Sequence, residues 1–503
     1  MPRLRAPVAF ECLDSCGLAG TVGPEQREDL AVERFNGQAV NRSQPSVGDN
    51  EVFDLDSGHL SSVRACGHHA KQASFFNDMI DIRLLRTEPE AVTAELGRRG
   101  VTSAEVEALI AADRSHRELS ARRDTLRAQV KEISRQVADA RRSADSKLAE
   151  QLTARSREFR SEEQALAAEA SAQADQLQHL LMMTPNIPAS ECPEGLSDQD
   201  NVVLRQYPET IPPSRECQRV PHWEVGARLG ILDLEAGAKM SGSMFPLFKG
   251  DGSAMLRALT SFALDHHRDA FLEIRPPTLV RTETMMSTGH LPKFADDAYH
   301  LERDDLWAIP TAEVPLASMH RGEILREEDL PELLCAATPC FRREAGSAGR
   351  DTRGLLRVHE FEKVELFAFC TPEQAEEVHA DILARAELLI QELGLAYRVL
   401  DLCAGDLGAA SARTFDLEVY APGCDRWLEV SSISWCSDYQ ARRANVRFRS
   451  PGGGTAFVHT LNGSALAWAR VWAAVIETYR QDDGSVSIPK ALRPYMGGRD
   501  TIS

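Results

Sequence analysis

The chain has 503 residues, too many for one small hydrophobic core, so two or more domains are expected. Its formal net charge of −19, from 57 Lys and Arg against 76 Asp and Glu, excludes a protein coated in basic surface, although a local basic stripe can still meet phosphate. No run of 18 apolar residues occurs, the apolar stretch 7–10 is too short for a signal core, and the 11 scattered cysteines make no disulfide framework. A cytoplasmic protein with reduced thiols and no membrane partner is expected.

Residues 1–78 mix Gly, Pro, Asn, Ser and Asp without sustained periodicity and read as a flexible extension, or as sequence ahead of the true start. Cys12, Cys16, Cys66 and His68 match no compact zinc spacing. Patterned sequence opens at Met79. From Ser103 to Pro185 the composition turns to Ala, Leu, Arg, Glu and Gln. Leu119, Leu126 and Ile133 recur every seven residues, Val130 and Val137 mark a second seam, and Leu152, Phe159 and Leu166 repeat the spacing. The break at Ser143–Asp145 predicts two helices folded back as an antiparallel coiled-coil hairpin. Residues 114–160 carry 13 Lys and Arg against 7 Asp and Glu, a local +6 that leaves −25 for the rest of the chain. That charge either solubilises the hairpin or, with Arg141, Arg142 and Lys147 at its tip, meets a phosphate backbone.

Residues 185–217, rich in Pro and polar side chains, read as a linker. A helix is predicted over 255–267 and an edge strand over 272–280, interrupted by Pro276 and Pro277. Strands are predicted over 333–341, 364–369, 397–402, 414–420 and 427–431, and helices over 373–393 and 464–480. The fold class is therefore α+β: an antiparallel sheet flanked by helices, with the N-terminal hairpin projecting from it.

The segment 341–365, FRREAGSAGRDTRGLLRVHEFEKVE, carries the densest chemistry. Arg342 and Glu344, two apart in an expected strand, should share a face, and an arginine there can fork onto phosphate or carboxylate. Gly346, Gly349 and Gly354 space a loop. Beyond it Arg357, Phe361 and Glu365 recur at even, strand-like intervals or across a turn: a phosphate ligand, a ring that can stack on a purine, and an acceptor for an ammonium. By residue type alone Phe361 could equally be core and Glu365 half of a structural ion pair, and no GxxxxGK[ST] or GxGxxG is present.

This segment resembles motif 2 of the class II aminoacyl-tRNA synthetases, in the form found in seryl-tRNA synthetases of the bacterial type. The resemblance runs from Met79 to about Met496. It takes in Ile187-Pro188, His222-Trp223-Glu224, Thr288-Gly289, Leu291-Pro292-Lys293-Phe294 and Thr311-Ala312-Glu313-Val314-Pro315-Leu316. It continues through residues 429–432, Gln440-Ala441-Arg442-Arg443, and Thr460-Leu461-Asn462-Gly463-Ser464 leading to Arg470.

The resemblance implies a class II catalytic domain over 187–503, a tRNA-binding arm over 79–186, and a homodimer with Pro277 at the interface. It implies that serine is activated with ATP and Mg²⁺ and passed to tRNA(Ser), with tRNA(Sec) as a further acceptor and no role for DNA. Arg342 would bridge the α-phosphate and the serine carboxylate. Glu344, Arg357, Val358 and Phe361 would line the nucleotide pocket, and Arg470 would hold the γ-phosphate. Glu429 and Ser432 would bind ATP with its Mg²⁺, and Arg342, Arg470 and Glu429 form the catalytic set. Thr311, Glu313, Glu365, Asn462 and Ser464 would receive serine.

Several positions depart from the family's wording: Ile433 where cysteine or threonine is usual, Trp435 in place of asparagine, and Trp468-Ala469-Arg470-Val471-Trp472 in the last helix. These bulkier residues either repack the core behind the pocket or mark a specialised paralogue, serving resistance or secondary metabolism. A noncatalytic tRNA-binding homologue and an enzyme that loads a carrier protein are the other readings.

Overall fold

The computed structural model describes residues 80–346, 351–450 and 452–503. The readings of 1–78, with Cys12, Cys16, Cys66 and His68, and of Gly349 lie outside the described residues. Two short helices, α1 (Ile82–Thr87) and α2 (Pro89–Arg98), precede two long ones, α3 (Ser103–Arg142) and α4 (Ser146–Met183). Thr102 starts α3 with a capping box: its hydroxyl accepts the Glu105 N–H at 3.3 Å, and the Glu105 carboxylate accepts the Thr102 N–H at 2.8 Å. At 1.5 Å per residue, α3 is about 60 Å long.

The helices return on each other at residues 143–145, as the heptads require. Ala112, Leu126, Ile133 and Ala140 are buried at sevenfold spacing, with Leu119 half-buried between them. On α4 the buried seam is Ala149, Ser156, Leu166, Ala170 and Leu177, whereas Leu152 and Phe159 are only half-buried, as are Val130 and Val137. Ion pairs from Arg122 to Glu162 (3.3 Å) and Arg127 to Glu163 (3.1 Å) cross between the helices. Exposed pairs of this kind add little stability but select the register. Arg141, Arg142 and Lys147 stand exposed at the tip.

The rest of the described chain is built on an eight-stranded sheet. Its strands in chain order are β1 (Val202–Tyr207), β2 (Leu272–Glu273), β3 (Glu332–Phe341), β4 (Glu360–Cys370), β5 (Tyr397–Asp401), β6 (Arg413–Ala421), β7 (Arg426–Trp435) and β8 (His459–Ala467). Their spatial order is β1-β5-β6-β7-β8-β4-β3-β2, antiparallel throughout except for the β2–β3 pair at one edge. Helices α5 (His222–Arg228), α6 (Asp251–His267), α7 (Ala375–Glu392), α8 (Tyr439–Ala444) and α9 (Trp468–Thr478) pack around it.

Three sequence expectations need correction. The segment 185–217 is more than a linker, because β1 joins the sheet edge at Tyr397–Asp401; its exposed Val-Val-Leu lacks the alternation that would have revealed it. Residues 464–467 are strand rather than helix, since β8 extends to Ala467 opposite Lys363. Pro276 and Pro277 interrupt the strand 272–280 as expected, but its second half, Leu279–Arg281, leaves β2 and pairs with Leu306–Ala308 in a separate three-stranded sheet.

The unusual tryptophans occupy packing positions. Trp472 is fully buried, donates from Nε1 to the Gly252 carbonyl at 3.3 Å, and meets the Phe248 ring edge-on at 5.3 Å between centroids. Trp468 meets the same ring from another side at 5.1 Å. Trp435 donates to His459 Nδ1 at 3.2 Å.

Candidate active site

An interior strand, β4, explains why charged residues lie so deep. From Lys363 onward β4 is buried on both faces, yet it carries Lys363 and Glu365 on the same face as the half-buried Phe361. Lys363 pairs with Glu365, whose Oε2 also accepts the Thr311 hydroxyl at 2.9 Å. Thr311 Oγ1 in turn accepts the Glu313 N–H at 3.2 Å. Gln440 donates to Glu313 Oε1 at 2.6 Å and accepts from Thr460 at 2.8 Å. Burial pushes the Glu365 carboxyl above its ordinary range against the opposing Lys363 charge, and burial likewise raises Glu313.

Two β-bulges bring the remaining groups onto this face. On β7, Leu417 pairs with Ser431 but Glu418 pairs with Glu429, so Val430 is the extra residue. Residues three apart point to opposite faces in a regular strand; the bulge places Glu429 and Ser432 on one face. On β8, Val364 pairs with Leu466 and Glu365 with Ser464, leaving Ala465 extra. Ser464 lies opposite Glu365, and Asn462, opposite Phe367, shares that face; the bulge brings Ala467, opposite Lys363, onto it as well.

Arg342 and Glu344 do not lie in a strand. β3 ends at Phe341, because the next amides leave the ladder: Arg343 N–H reaches the Asp297 carbonyl at 2.8 Å and Ala345 N–H reaches Asp297 Oδ1 at 2.9 Å. Glu344 sits at φ +50°, which turns its carboxylate onto Arg357. Arg357 precedes β4 and lies in the returning turn, the second of the two expected placements. Arg342 N–H donates to the His359 carbonyl at 2.9 Å, and its guanidinium lies 5.2 Å from the Phe361 ring centre. Arg470, in α9, donates to the Glu429 carbonyl at 2.7 Å and to that of Leu356 at 3.3 Å.

These groups line two adjoining cavities. One, about 200 Å³, is walled by Glu344, Arg357, Val358, Phe361 and Arg470. The other, about 240 Å³, is walled by Thr311, Glu313, Glu365, Ser432, Asn462 and residues 408–411. Arg342, Lys363, Glu429 and Ser464 line both. The geometry offers cations and an aromatic ring on one side and a small polar chamber on the other. Trp435, Trp468 and Trp472 are not among these walls, whereas Ala469 lines the first.

Sequence reasoning missed Lys363, which the period-two run Phe361, Lys363, Glu365 could have revealed. It also missed Asp416, which β6 sets directly opposite Ser432. Burial and the neighbouring Glu429 charge hold the Asp416 carboxyl well above its usual range, and its buried Oδ1 has no hydrogen-bond partner. Oxygen donors from Glu429, Ser432 and Asp416 on one face suit a hard divalent cation such as Mg²⁺. His290, bonded to Thr288 Oγ1 at 2.7 Å, is pushed down to about 4 by burial and by the Arg342 and Lys363 cations, so it is neutral near pH 7.

His222, Cys424 and Glu477 form a second polar cluster, their ligand-type atoms within 4.8 Å of one another. Each is committed to a hydrogen bond. His222 Nε2 accepts the Leu355 N–H at 2.9 Å, so Nδ1 carries the proton and donates to Glu477 Oε1 at 2.7 Å. The Cys424 thiol donates to the same oxygen at 3.1 Å. The cluster is a structural knot that holds the segment leading to Arg357.

Residues 79–188 match the seryl-tRNA synthetase N-terminal domain, and residues 298–479 match the tRNA synthetase class II core domain (G, H, P, S and T). The serine–tRNA ligase of Geobacillus kaustophilus is 46% identical over 430 residues, covering 84% of this chain and 100% of its own. The chain belongs to the seryl-tRNA synthetase family. The Synechococcus elongatus serine–tRNA ligase is 44% identical over 429 residues, 84% of this chain and 99% of that one. Among solved structures, the seryl-tRNA synthetase of Pyrococcus horikoshii complexed with ATP superposes with a TM-score of 0.76 at 35% identity, covering 84% and 99% of the two chains. The cytoplasmic serine–tRNA ligase of Naegleria fowleri in complex with AMP gives 0.72 at 28% identity, covering 83% and 96%.

Proposed function

We propose that this family member is a working serine–tRNA ligase: it activates L-serine with ATP to seryl adenylate and transfers the seryl group to the 3′-terminal adenosine of tRNA(Ser), in the cytoplasm. The observation that carries this reading is the junction of the two cavities at Arg342, Lys363, Glu429 and Ser464.

The serine carboxylate is already a nucleophile, so activation requires in-line alignment on the α-phosphorus rather than a general base. Arg342 is at the junction to grip both the carboxylate and the α-phosphate, while Phe361 stacks on adenine. Glu344, Arg357 and Val358 line the nucleotide side, and Arg470 neutralises the departing pyrophosphate. Glu429 and Ser432, with Asp416 opposite Ser432 on the same face, would hold Mg²⁺, which would supply charge neutralisation to the phosphates. Glu365 and Thr311 meet the serine ammonium and hydroxyl, with Glu313, Asn462 and Ser464 closing the chamber. The tRNA ribose hydroxyl then attacks the seryl carbonyl and AMP leaves.

In this reading residues 79–186 form the tRNA-gripping arm and 187–503 the catalytic domain. The net charge of +6 over residues 114–160 and the exposed basic tip support backbone contacts to tRNA(Ser), and to tRNA(Sec) by the same shape. A homodimer would cover the exposed Leu272, Pro277 and Leu279 at the β2 edge. The packing roles of Trp468 and Trp472 favour an ordinary ligase over a specialised paralogue. The decisive measurement is serine-dependent exchange of pyrophosphate into ATP, with Arg342→Ala expected to abolish it. Correctly folded wild-type protein with no exchange would leave only a noncatalytic tRNA binder.

A further inference from the structure

The serine side of the site is walled in part by residues 408–411, and this segment is held from outside the catalytic sheet. Arg99, at the C-terminal end of α2, donates from Nη2 to the carbonyls of Leu407 and Gly408, both at 2.8 Å. From Nη1 it donates to Ser411 at 2.8 Å and to Asn186 at 2.9 Å. Asn186, just beyond α4, gives its main-chain N–H to the Ala409 carbonyl at 2.8 Å and its Nδ2 to that of Ala410 at 2.9 Å. Two residues at the root of the helical arm thus take every carbonyl from 407 to 411. The Ala189 N–H takes the next, Ala412, at 2.8 Å.

Among the described residues no carboxylate pairs with Arg99. Its charge is carried by four carbonyl dipoles, and burial lowers its pKa to about 10. Arginine suits the task because its planar fork fixes several acceptors at once. With their carbonyls drawn toward the arm, residues 408–411 present their other side to the chamber. The same Asn186 Nδ2 donates to the Cys436 carbonyl at 2.9 Å, two residues from Ser434, another wall of that chamber. Since the contacts are made to main-chain atoms, the identity of the wall residues matters less than the two side chains that hold them.

We propose that Arg99 and Asn186 are positioning residues for serine: the root of the tRNA arm completes the amino-acid chamber by fixing the wall 407–411. This rests on reading that chamber as the serine site.

The test compares Arg99→Met, Arg99→Lys, Asn186→Ala and Arg98→Met with wild type in tRNA-independent pyrophosphate exchange, measuring KM for serine and for ATP separately. Arg98 is the control. It lies beside Arg99 but donates to the Ala189 and Cys192 carbonyls and pairs with Glu95 and Glu194, leaving 407–411 untouched. Arg99→Met and Asn186→Ala are each expected to raise the serine KM about tenfold or more, as an ångström-scale shift of a substrate wall does. The ATP KM should stay within about twofold, Arg98→Met should match wild type, and Arg99→Lys should recover part of the loss. Should Arg99→Met fail to fold, Asn186→Ala carries the test. The proposal is overturned if the folded variants keep the wild-type serine KM, or if serine and ATP KM rise together. Exchange absent from wild type would instead overturn the assignment of the reaction.

Discussion

Replacing Glu477 by glutamine should cost far more than a one-atom change implies. Glu477 is fully buried in α9, and its two oxygens receive five donors. Oε1 accepts the His222 N–H (2.9 Å), His222 Nδ1–H (2.7 Å) and the Cys424 thiol (3.1 Å). Oε2 accepts the N–H groups of Gly423 (2.8 Å) and Cys424 (3.1 Å). Whichever oxygen becomes NH₂, at least two donors then face a donor. Hydrogen bonds to a buried charged acceptor are worth about 1.5–3 kcal/mol each, so the loss is roughly 3–6 kcal/mol. For a catalytic body of this size the thermal midpoint should fall by roughly 5–10 °C. The effect should reach the site, because His222 Nε2 holds the Leu355 N–H two residues before Arg357, and the ATP KM should rise more than the serine KM. Calorimetry with exchange kinetics measures both. A Glu477→Gln variant melting within about 1 °C of wild type would refute the claim that the carboxylate organises this knot.

Glu365→Gln should raise the serine KM by about 5–150-fold, the equivalent of 1–3 kcal/mol, with ATP KM unchanged in the same exchange assay. Deleting residues 115–160 should spare serine activation and raise the tRNA KM in aminoacylation by about two orders of magnitude; intact charging would exclude the hairpin from tRNA contact. His379 is buried against Phe415, and its pKa is pushed down to about 4, mainly by burial. The unfolded chain therefore binds its proton first as pH falls below about 6.5, and stability is lost between that pH and about 4. His379→Gln should reduce the stability lost between pH 7 and pH 5 by roughly 2 kcal/mol in paired denaturation curves.

Legibility in the sequence followed the range of the interaction. The hairpin was readable because heptads repeat a local rule, and Arg342, Phe361, Glu365 and Arg470 were readable because the family's motifs carry them. The end of a strand at Phe341 was readable too, but the turn of Arg342 and Glu344 out of the ladder was not, since it depends on Asp297 capturing the amides of Arg343 and Ala345. Asp416 was hidden because its relation to Ser432 exists only across the β6–β7 ladder. Arg99 and Asn186 left no signal at residues 407–411, because main-chain carbonyls look alike in any sequence. β1 lacked the alternation of a half-buried strand because its Val-Val-Leu lies exposed at the sheet edge.

The bulges at Val430 and Ala465 make the site a matter of parity. Each inserts one unpaired, buried residue, Val430 between Glu429 and Ser432 and Ala465 between Ser464 and Ala467, so side chains three apart line the same cavity in two neighbouring strands. A single residue inserted after Leu417 would give Val430 a partner, straighten the ladder and turn Glu429 away from Ser432 with every named site residue still present. In a damaged relative, such a lesion would be invisible to a check of residue identities and would be found only by counting along the partner strand.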